Sequence, residues 1–176
     1  MKKIKILIVV IATVLVTSLG AQQQAAQELP TYTTEQRWER ASSQLTVILV
    51  AGIAYAKSIG QSPEEYGEFL GNLFAPGWGE PGSGSVKIIR GVRRNYLMWP
   101  EAEFEITEST ELSVTARTNR PWAKYFGEDH TWYGVTLDEF DACLHVFNRQ
   151  LAEYLGLQYQ EQIKDGWLYI TFSKMK

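Results

Sequence analysis

The spacing of apolar residues divides the chain into a helical first part and a sheet-forming second part. Over residues 33–99, apolar side chains recur every three or four residues, which predicts three helices. From about residue 101 the period becomes two in the strand segments, and one long helical stripe covers residues 137–155. We therefore predict an α+β fold: N-terminal helices, then a β-β-α-β-β unit whose long helix covers a four-stranded antiparallel sheet.

The predicted helices differ in how clearly their ends are marked. The first starts at Thr33 and is apolar nearly all round, which favours a central buried helix whose anchors are Trp38, Ala41, Leu45, Ile48, Leu49, Gly52, Ala56 and Ile59. The second helix starts at Ser62, because a Ser at the N-cap, a Pro at the first helical position and a Glu three residues after the cap all indicate a helix start there. Its apolar stripe is Tyr66, Phe69, Leu70, Leu73 and Phe74. Residues 75–85, rich in Gly, Pro and Ser, predict a mobile connection to the third helix.

The closing hairpin places one carboxylate where an apolar residue is expected. Asp165-Gly166 is a strong signal for a two-residue turn. That turn pairs Glu161 with Ile170 and puts Glu161 on the apolar face, beside Tyr159. A buried carboxylate is costly and is typical of functional sites, so both residues are candidates to line a pocket. The alternatives are a bulge that turns Glu161 outward, and an edge strand whose inward charge blocks aggregation.

The loop over residues 120–134 concentrates aromatic residues around one histidine. Long loops of this kind are often binding loops, so we regard four of its aromatic residues as candidate ligand contacts: Trp122, Tyr125, Trp132 and Tyr133. His130, beside Asp129, is a candidate general base together with Glu161. The alternative for His130 is a solvated loop histidine, because no Ser or Cys nucleophile motif accompanies it.

The third helix carries the main local positive charge of the chain, at Lys87, Arg90, Arg93 and Arg94. A solvated basic face is one explanation. Recognition of an anionic ligand or of anionic lipid headgroups is the other, and on that reading Arg90 and Arg94 join the candidate ligand-binding residues.

Polar residues on the long helix have simpler explanations. His145 is flanked one turn away by Asp141 and Arg149, which predicts a salt-bridged row on the surface. Cys143 lies on the apolar stripe and is expected to be an inert core residue. With one cysteine and two histidines, a zinc site has no support, and we predict no metal and no cofactor.

The first twenty residues predict export. They have the layout of a secretory signal peptide: basic residues, an apolar run over 6–16, and small residues at Ser18 and Gly20. We expect cleavage and a periplasmic or secreted protein, with a linker over 21–32 and a single domain over 33–176, helical over 33–99 and sheet-forming over 101–174. An uncleaved anchor is the alternative, but the run is shorter than the roughly 20 residues that span a bilayer. The net charge of -3 gives no indication of a nucleic-acid partner.

Residues 101–174 resemble a small superfamily of ligand-binding domains. The order of pieces carries the resemblance: a hairpin (EFEITESTELSVTARTN), a variable loop, one long helix (LDEFDACLHVFNRQLAEYLG), and a closing hairpin around DG followed by WLYITF. The superfamily includes the 4-vinyl reductase-like domain and the L-2-amino-thiazoline-4-carboxylate hydrolase-like proteins. Its members often carry Cys in the closing hairpin, where this chain has none. The resemblance implies a pocket for a small, partly apolar molecule between helix and sheet, and it implies no catalytic residue.

We expect an exported domain that binds such a small molecule. The alternatives are a hydrolase that uses Glu161 or His130 as general base, and a non-catalytic protein that docks an unidentified partner in the cell envelope. A cavity that brings Glu161 and His130 together would favour the enzyme, and an apolar cavity without them would favour binding.

Overall fold

The order of helices and strands follows the prediction. The computed structural model describes residues 31–175. Its helical part comprises α1 (Thr34–Ser58), α2 (Pro63–Phe74), a 3₁₀ turn (Ala75–Gly77) and α3 (Ile88–Tyr96). The remainder comprises β1 (Phe104–Ser109), β2 (Ser113–Thr118), a 3₁₀ turn (Ala123–Phe126), β3 (Thr131–Trp132), β4 (Val135–Thr136), α4 (Leu137–Tyr154), β5 (Leu157–Lys164) and β6 (Trp167–Lys174). The predicted signal peptide, and the predicted linker except for its last two residues, lie outside the described residues.

By its contacts the chain forms two compact units, which divide after Gln36. In the first unit, Thr33 and Gln36 cap the start of α1 reciprocally. The Gln36 backbone N–H donates to Thr33 Oγ1 at 3.1 Å, and the Thr33 N–H donates to Gln36 Oε1 at 2.9 Å.

The sheet has the predicted antiparallel arrangement, in the order β1-β2-β6-β5. The closing turn at Asp165 and Gly166 has positive φ at both residues, 52° and 80°, as a two-residue hairpin turn of the primed type requires. The predicted register is confirmed, because Glu161 pairs with Ile170 and Tyr159 with Phe172. The α+β prediction is therefore confirmed, and β5, which carries Glu161, is an edge strand.

The central helix of the core is α4. It packs against β5 on one side and against α2 on the other. Its start is fixed by a capping box in which Thr136 and Glu139 exchange hydrogen bonds with each other's backbone. Because α4 is covered on two sides, its buried arc is wider than the predicted stripe and also takes in Val146, Asn148 and Ala152.

The second helix turns its small residues, not its apolar stripe, towards α4. The predicted capping box of Ser62 and Glu65 is confirmed, but the residues that α2 buries are Pro63, Gly67 and Gly71. A Cβ added at Gly67 would lie 2.4 Å from the Cys143 carbonyl oxygen, so the two backbones nearly touch. The side chains of Phe69 and Leu73, predicted to be core, are 58% exposed.

The first helix buries a different face from the one predicted. Its buried residues are Ser42, Thr46, Val50, Ile53 and Ala56, whereas Ile48 and Tyr55 are each 67% exposed. Burial of the two hydroxyls is tolerated because each is hydrogen-bonded: Ser42 Oγ donates to the Trp38 carbonyl at 2.9 Å, and Thr46 Oγ1 to the Ser42 carbonyl at 2.9 Å. The prediction of a central buried helix is therefore wrong for α1. Within residues 31–175, no helix combines the length and apolarity needed to cross a membrane.

The glycine-rich connection before α3 is tied to the rest of the fold. The N–H groups of Gly82 and Gly84 donate to the carbonyls of Tyr154 and Leu155, at 2.9 and 2.7 Å. The Trp78 ring lies against α3, where a Cβ added at Gly91 would be 2.5 Å from it. The prediction of a mobile connection is corrected, because these hydrogen bonds and the ring contact position the segment.

The close approach of α2 to α4 predicts an unusual response to a glycine substitution. Gly→Ala inside a helix normally stabilises it by roughly 1 kcal/mol. We expect Gly67→Ala instead to lower the free energy of unfolding by about 1–3 kcal/mol, because the new methyl group meets the α4 backbone. Urea unfolding followed by tryptophan fluorescence measures this change.

The matched control is Gly77→Ala, because a Cβ at that position meets no atom within 4 Å. It should change the free energy of unfolding by no more than about 0.5 kcal/mol. If Gly67→Ala proves as stabilising as an ordinary helix substitution, α2 and α4 are farther apart than described.

Candidate functional site

A cleft of about 810 Å³ lies among α1, α2, α3 and α4, and we call it the helical cleft. Most of its lining is apolar, with contributions from Leu45, Ile48, Leu49 and Ile53 of α1, Tyr66, Leu70 and Phe74 of α2, Trp78, Val92, Tyr96, Met98 and Trp99 from the α3 region, and Phe140, Cys143, Leu144 and Phe147 of α4. The two faces that the sequence predicted for the core, on α1 and α2, thus partly line an open space.

Polar contacts hold α1 against the rest of the fold near both of its ends. At the N-terminal side, Trp38 Nε1 donates to the Met98 carbonyl at 2.6 Å. At the C-terminal side, Lys57 Nζ lies 2.6 Å from Glu139 Oε1. Between these contacts, Val50 and Ile53 of α1 are buried in the core, whereas Ile48 lines the cleft and stays exposed.

Large side chains occupy much of the space between α4 and the sheet, where the sequence predicts the pocket. Among the described residues, a small cavity of about 10 Å³ lies between α4 and the sheet, beside Trp122, Asp141 and Glu161. Such a volume corresponds to roughly one water molecule. The rings of Trp122, Phe140 and Phe172 are fully buried in the core.

The question posed by Glu161 has a structural answer. Glu161 faces α4, where its Oε1 lies 3.1 Å from His145 Nδ1, and its Oε2 accepts a hydrogen bond of 2.6 Å from the Tyr159 hydroxyl. The Glu161 carboxylate therefore faces inward from an edge strand and has two partners, His145 and Tyr159. The predicted surface row on α4 is corrected, because His145 pairs with Glu161 and Asp141 pairs with Arg120 at 2.7 Å.

Two further residues extend this pair to the helical cleft. Asn148 Nδ2 lies 3.5 Å from both the Tyr159 hydroxyl and the Tyr96 hydroxyl. Tyr96 and Asn148 both line the cleft. We call Tyr96, His145, Asn148, Tyr159 and Glu161 the polar cluster. It runs from the cleft wall to an open polar groove beside β5, which Glu161 and His145 border.

Sequence reasoning missed Asn148 and the role of His145. Asn148 is buried, and a buried amide in an apolar helical stripe is the signal that could have revealed it.

The buried hydroxyl of Tyr96 and the buried thiol of Cys143 in the cleft wall are held in their neutral forms by a raised pKa. Burial raises the pKa of the Tyr96 and Tyr159 hydroxyls well above the ordinary value, with the charge of Glu161 adding to the effect. Burial raises the pKa of the Cys143 thiol to about 12. Because the thiolate is the reactive form, Cys143 is a poor nucleophile, as expected of a core residue.

The aromatic loop packs against other parts of the fold. Trp122 is buried, and its Nε1 donates to Asp141 Oδ1 at 2.8 Å. Burial raises the pKa of Asp141, and the hydrogen bonds from Trp122 and Arg120 oppose this effect. Tyr125 donates to Glu39 Oε1 at 3.0 Å.

Of the remaining candidates of the loop, Trp132 is half-buried against the core, whereas His130 and Tyr133 are exposed. The ring of Trp132 stacks between those of Tyr125 and Tyr133, with centroids 5.9 and 5.6 Å away. His130 is exposed, has a positive φ of 52°, and accepts the Leu137 N–H at its carbonyl. Among the residues found to line the helical cleft, none belongs to this loop. A binding role for the loop therefore stays a prediction.

The basic helix contributes to the cleft in part. Arg94, a predicted ligand-binding residue, lines the cleft together with Lys87, whereas Arg90 is not part of the lining. In residues 31–175, no group of three or more His, Cys, Asp and Glu could hold a metal ion.

Comparisons with known proteins add little. No protein-family model matches the sequence, and a search of curated proteins finds no match. Among solved structures, the chain is similar to a mutant H-NOX protein from K. algicida in the Fe(II) unliganded form, with 16% identity and a TM-score of 0.36, over 84% of this chain and 76% of that chain. A second structure of Fe(II) unliganded H-NOX protein from K. algicida gives 14% identity and a TM-score of 0.27, over 79% and 62%. At these TM-scores, no inference about fold or function rests on the similarity.

Burial of Tyr96 predicts a loss of stability in alkali. The unfolded chain releases this proton near pH 10.0, whereas the folded protein holds it to a higher pH. The contribution is therefore complete below pH 10 and is lost as the pH rises towards the folded pKa. We expect the free energy of unfolding to fall by about 1.4 kcal/mol per pH unit from this group.

Tyr96→Phe removes this proton, so the free energy of unfolding of the variant should fall less steeply above pH 10. The difference in slope should be about 1.4 kcal/mol per pH unit, as measured by urea unfolding at a series of pH values. Tyr55→Phe, which replaces an exposed surface tyrosine, is the matched control. Equal slopes for the two variants would contradict the burial of the Tyr96 hydroxyl.

Proposed function

We propose that this protein binds a small, largely apolar molecule in the helical cleft. The observation that carries the proposal is the cleft itself: a concave space of about 810 Å³ whose walls are mostly apolar. Sites for small molecules typically have volumes of roughly 300–1,000 Å³ and combine apolar walls with a few polar groups. Tyr96 and Asn148 supply such groups at the α4 side of the cleft.

Exposed apolar side chains around the cleft support the same proposal. Ile48, Phe74 and Met98 line the cleft and are also exposed. An isolated exposed apolar side chain is ordinary, but a contiguous exposed set usually marks a binding site. A ligand in the cleft would remove part of this surface from water, at roughly 25 cal/mol for each Å² buried.

The positions of the candidate catalytic groups favour binding over hydrolysis. Neither Glu161 nor His130 belongs to the described lining of the cleft. In the polar groove beside β5, the Thr115 and Thr171 hydroxyls are hydrogen-bonded to each other at 3.0 Å, and Glu161 is paired with His145. A general base must lie within reach of the substrate proton, and a ligand in the helical cleft would contact neither Glu161 nor His130.

Two parts of the proposal rest on the sequence alone. We propose that residues 1–20 are a cleaved signal peptide and that the protein works outside the cytoplasm. We also keep as a proposal the relationship of residues 101–174 to the superfamily of the 4-vinyl reductase-like domain. Mass spectrometry of the protein from an exporting host tests the first, since cleavage after Gly20 gives a mature chain that begins at Ala21.

Binding of a neutral fluorescent probe tests the cleft directly. N-phenyl-1-naphthylamine has no charge and becomes fluorescent in apolar surroundings. We expect saturable binding to the purified protein. Leu49→Trp and Leu70→Trp, which add bulk to opposite walls, should each weaken it by about tenfold or more, because they fill space that the probe needs.

The matched control is Leu112→Trp, the same substitution at an exposed residue of the β1–β2 turn. It should leave the affinity within about twofold, and urea unfolding should show that all three variants are folded. If all the proteins bind the probe equally, the probe does not occupy the cleft. If the wild-type protein binds nothing, the proposed function fails.

A homologous series of neutral alcohols provides a second test. Displacement of the probe should become about fourfold more effective with each added methylene, since burial of one methylene contributes about 0.8 kcal/mol. The gain should stop once the chain exceeds the length of the cleft. Displacement that does not depend on chain length would contradict an apolar site.

A further inference from the structure

We propose that the helical cleft selects amphiphiles with an anionic head group, and that Lys87 and Arg94 form the head-group site. This inference rests on the proposed function, since it concerns the same cleft. The residues that line the described cleft include two cations, Lys87 and Arg94, and no carboxylate. A cleft in an acidic protein, with 20 acidic and 17 basic residues, thus has a positive rim.

The two cations lie at opposite ends of the same helix. Lys87 is the N-cap residue of α3, and Arg94 is in its last turn. Seven residues of helix correspond to a rise of about 10 Å, so the two charges bracket one side of the cleft. Both side chains are exposed, which places their charges at the rim while the apolar residues form the walls.

The charges at the rim are not neutralised within the described part of the protein. Neither Lys87 nor Arg94 forms a salt bridge there, whereas Lys57, Arg120 and Lys124 each pair with a carboxylate. The neighbouring Ser85 and Asn95, which also line the cleft, add polar groups beside the two cations. An anion at this rim would therefore meet available donors without displacing an internal partner.

Charge and apolarity together define the ligand class. A carboxylate or phosphate within the apolar walls would lose its hydration without compensation, which is costly. At the rim, the same group remains hydrated and accepts charge-assisted hydrogen bonds from Lys87 and Arg94. The arrangement therefore fits a single molecule whose apolar tail enters the cleft and whose anionic head stays at α3.

Ligands that differ only in their head group test this inference. Dodecanoate, dodecanol and dodecyltrimethylammonium share one chain length, and each is titrated below the concentration at which it forms micelles. They displace the neutral probe from the protein at a pH near 8, where a carboxylate is ionised. We expect dodecanoate to bind about tenfold more tightly than dodecanol, and the cationic amphiphile to bind more weakly than both.

Adjacent arginines on α3 provide a matched pair of variants. Arg94→Gln and Arg93→Gln remove the same charge from neighbouring positions, but only Arg94 lines the cleft. Arg94→Gln and Lys87→Gln should each weaken dodecanoate binding by about threefold, and the double variant should bind dodecanoate no better than dodecanol. Dodecanol binding should stay within about twofold in every variant, and Arg93→Gln should leave both ligands within that limit.

The outcomes separate this inference from the proposed function. If the wild-type protein binds dodecanol and dodecanoate equally, the head-group site is wrong and the apolar cleft stands. If Arg93→Gln weakens dodecanoate binding as much as Arg94→Gln does, the effect is one of net charge and the assignment fails. If the cleft binds the probe but no amphiphile displaces it, or if the protein binds vesicles of anionic lipid and no single amphiphile, the head-group inference fails while probe binding still supports the proposed function.

Discussion

The close contact between α2 and α4 is the constraint from which the helical cleft follows. Gly67 and Gly71 let the two helices approach until backbone meets backbone, because a Cβ at either position would lie 2.4 Å from an atom of α4. Because the glycine face of α2 packs against α4, the apolar stripe of α2 lies on another side of the helix. Tyr66, Leu70 and Phe74 then face the space next to α1, and Phe69 and Leu73 face solvent. The cleft is thus a consequence of how α2 is rotated about its own axis.

The first helix forms the other side of this space. Trp38 donates to the Met98 carbonyl, Trp99 donates to Thr46, and Lys57 pairs with Glu139. Val50 and Ile53 add apolar contacts, because both are buried in the core. Other apolar side chains at the cleft, Ile48, Phe74 and Met98, nevertheless stay exposed. The free energy that their burial would contribute is not realised in the protein alone, and under the proposed function a ligand would gain it on binding.

Local sequence signals predicted where the helices and strands lie in the chain. Which face of each helix meets the core depends on packing with distant residues, which the sequence pattern does not show. Capping residues mark the starts of α2 and α4, and Asp165-Gly166 fixes the register that turns Glu161 inward. An apolar period identifies a helix, but it does not always identify the face that meets the core. In α2 a glycine face packs against the core in place of the apolar stripe. In α1 the apolar residues lie nearly all round the helix, so no single stripe marks the buried face. The partner of Glu161 could not be predicted for the same reason. His145 faces β5 only because α4 is rotated to bury Asn148 on one side and Cys143 on the other.

The polar cluster and the cleft are compatible because the cluster satisfies its own members. Tyr159 donates to Glu161, Glu161 pairs with His145, and Asn148 lies between the two tyrosine hydroxyls. Buried polar groups that are paired with each other place little demand on what occupies the adjacent space, whereas unpaired ones would require a polar ligand or water. The inner wall at Tyr96 and Asn148 can therefore border an apolar ligand. Under the head-group proposal, charge selectivity would come from the rim of the cleft, which Lys87 and Arg94 line.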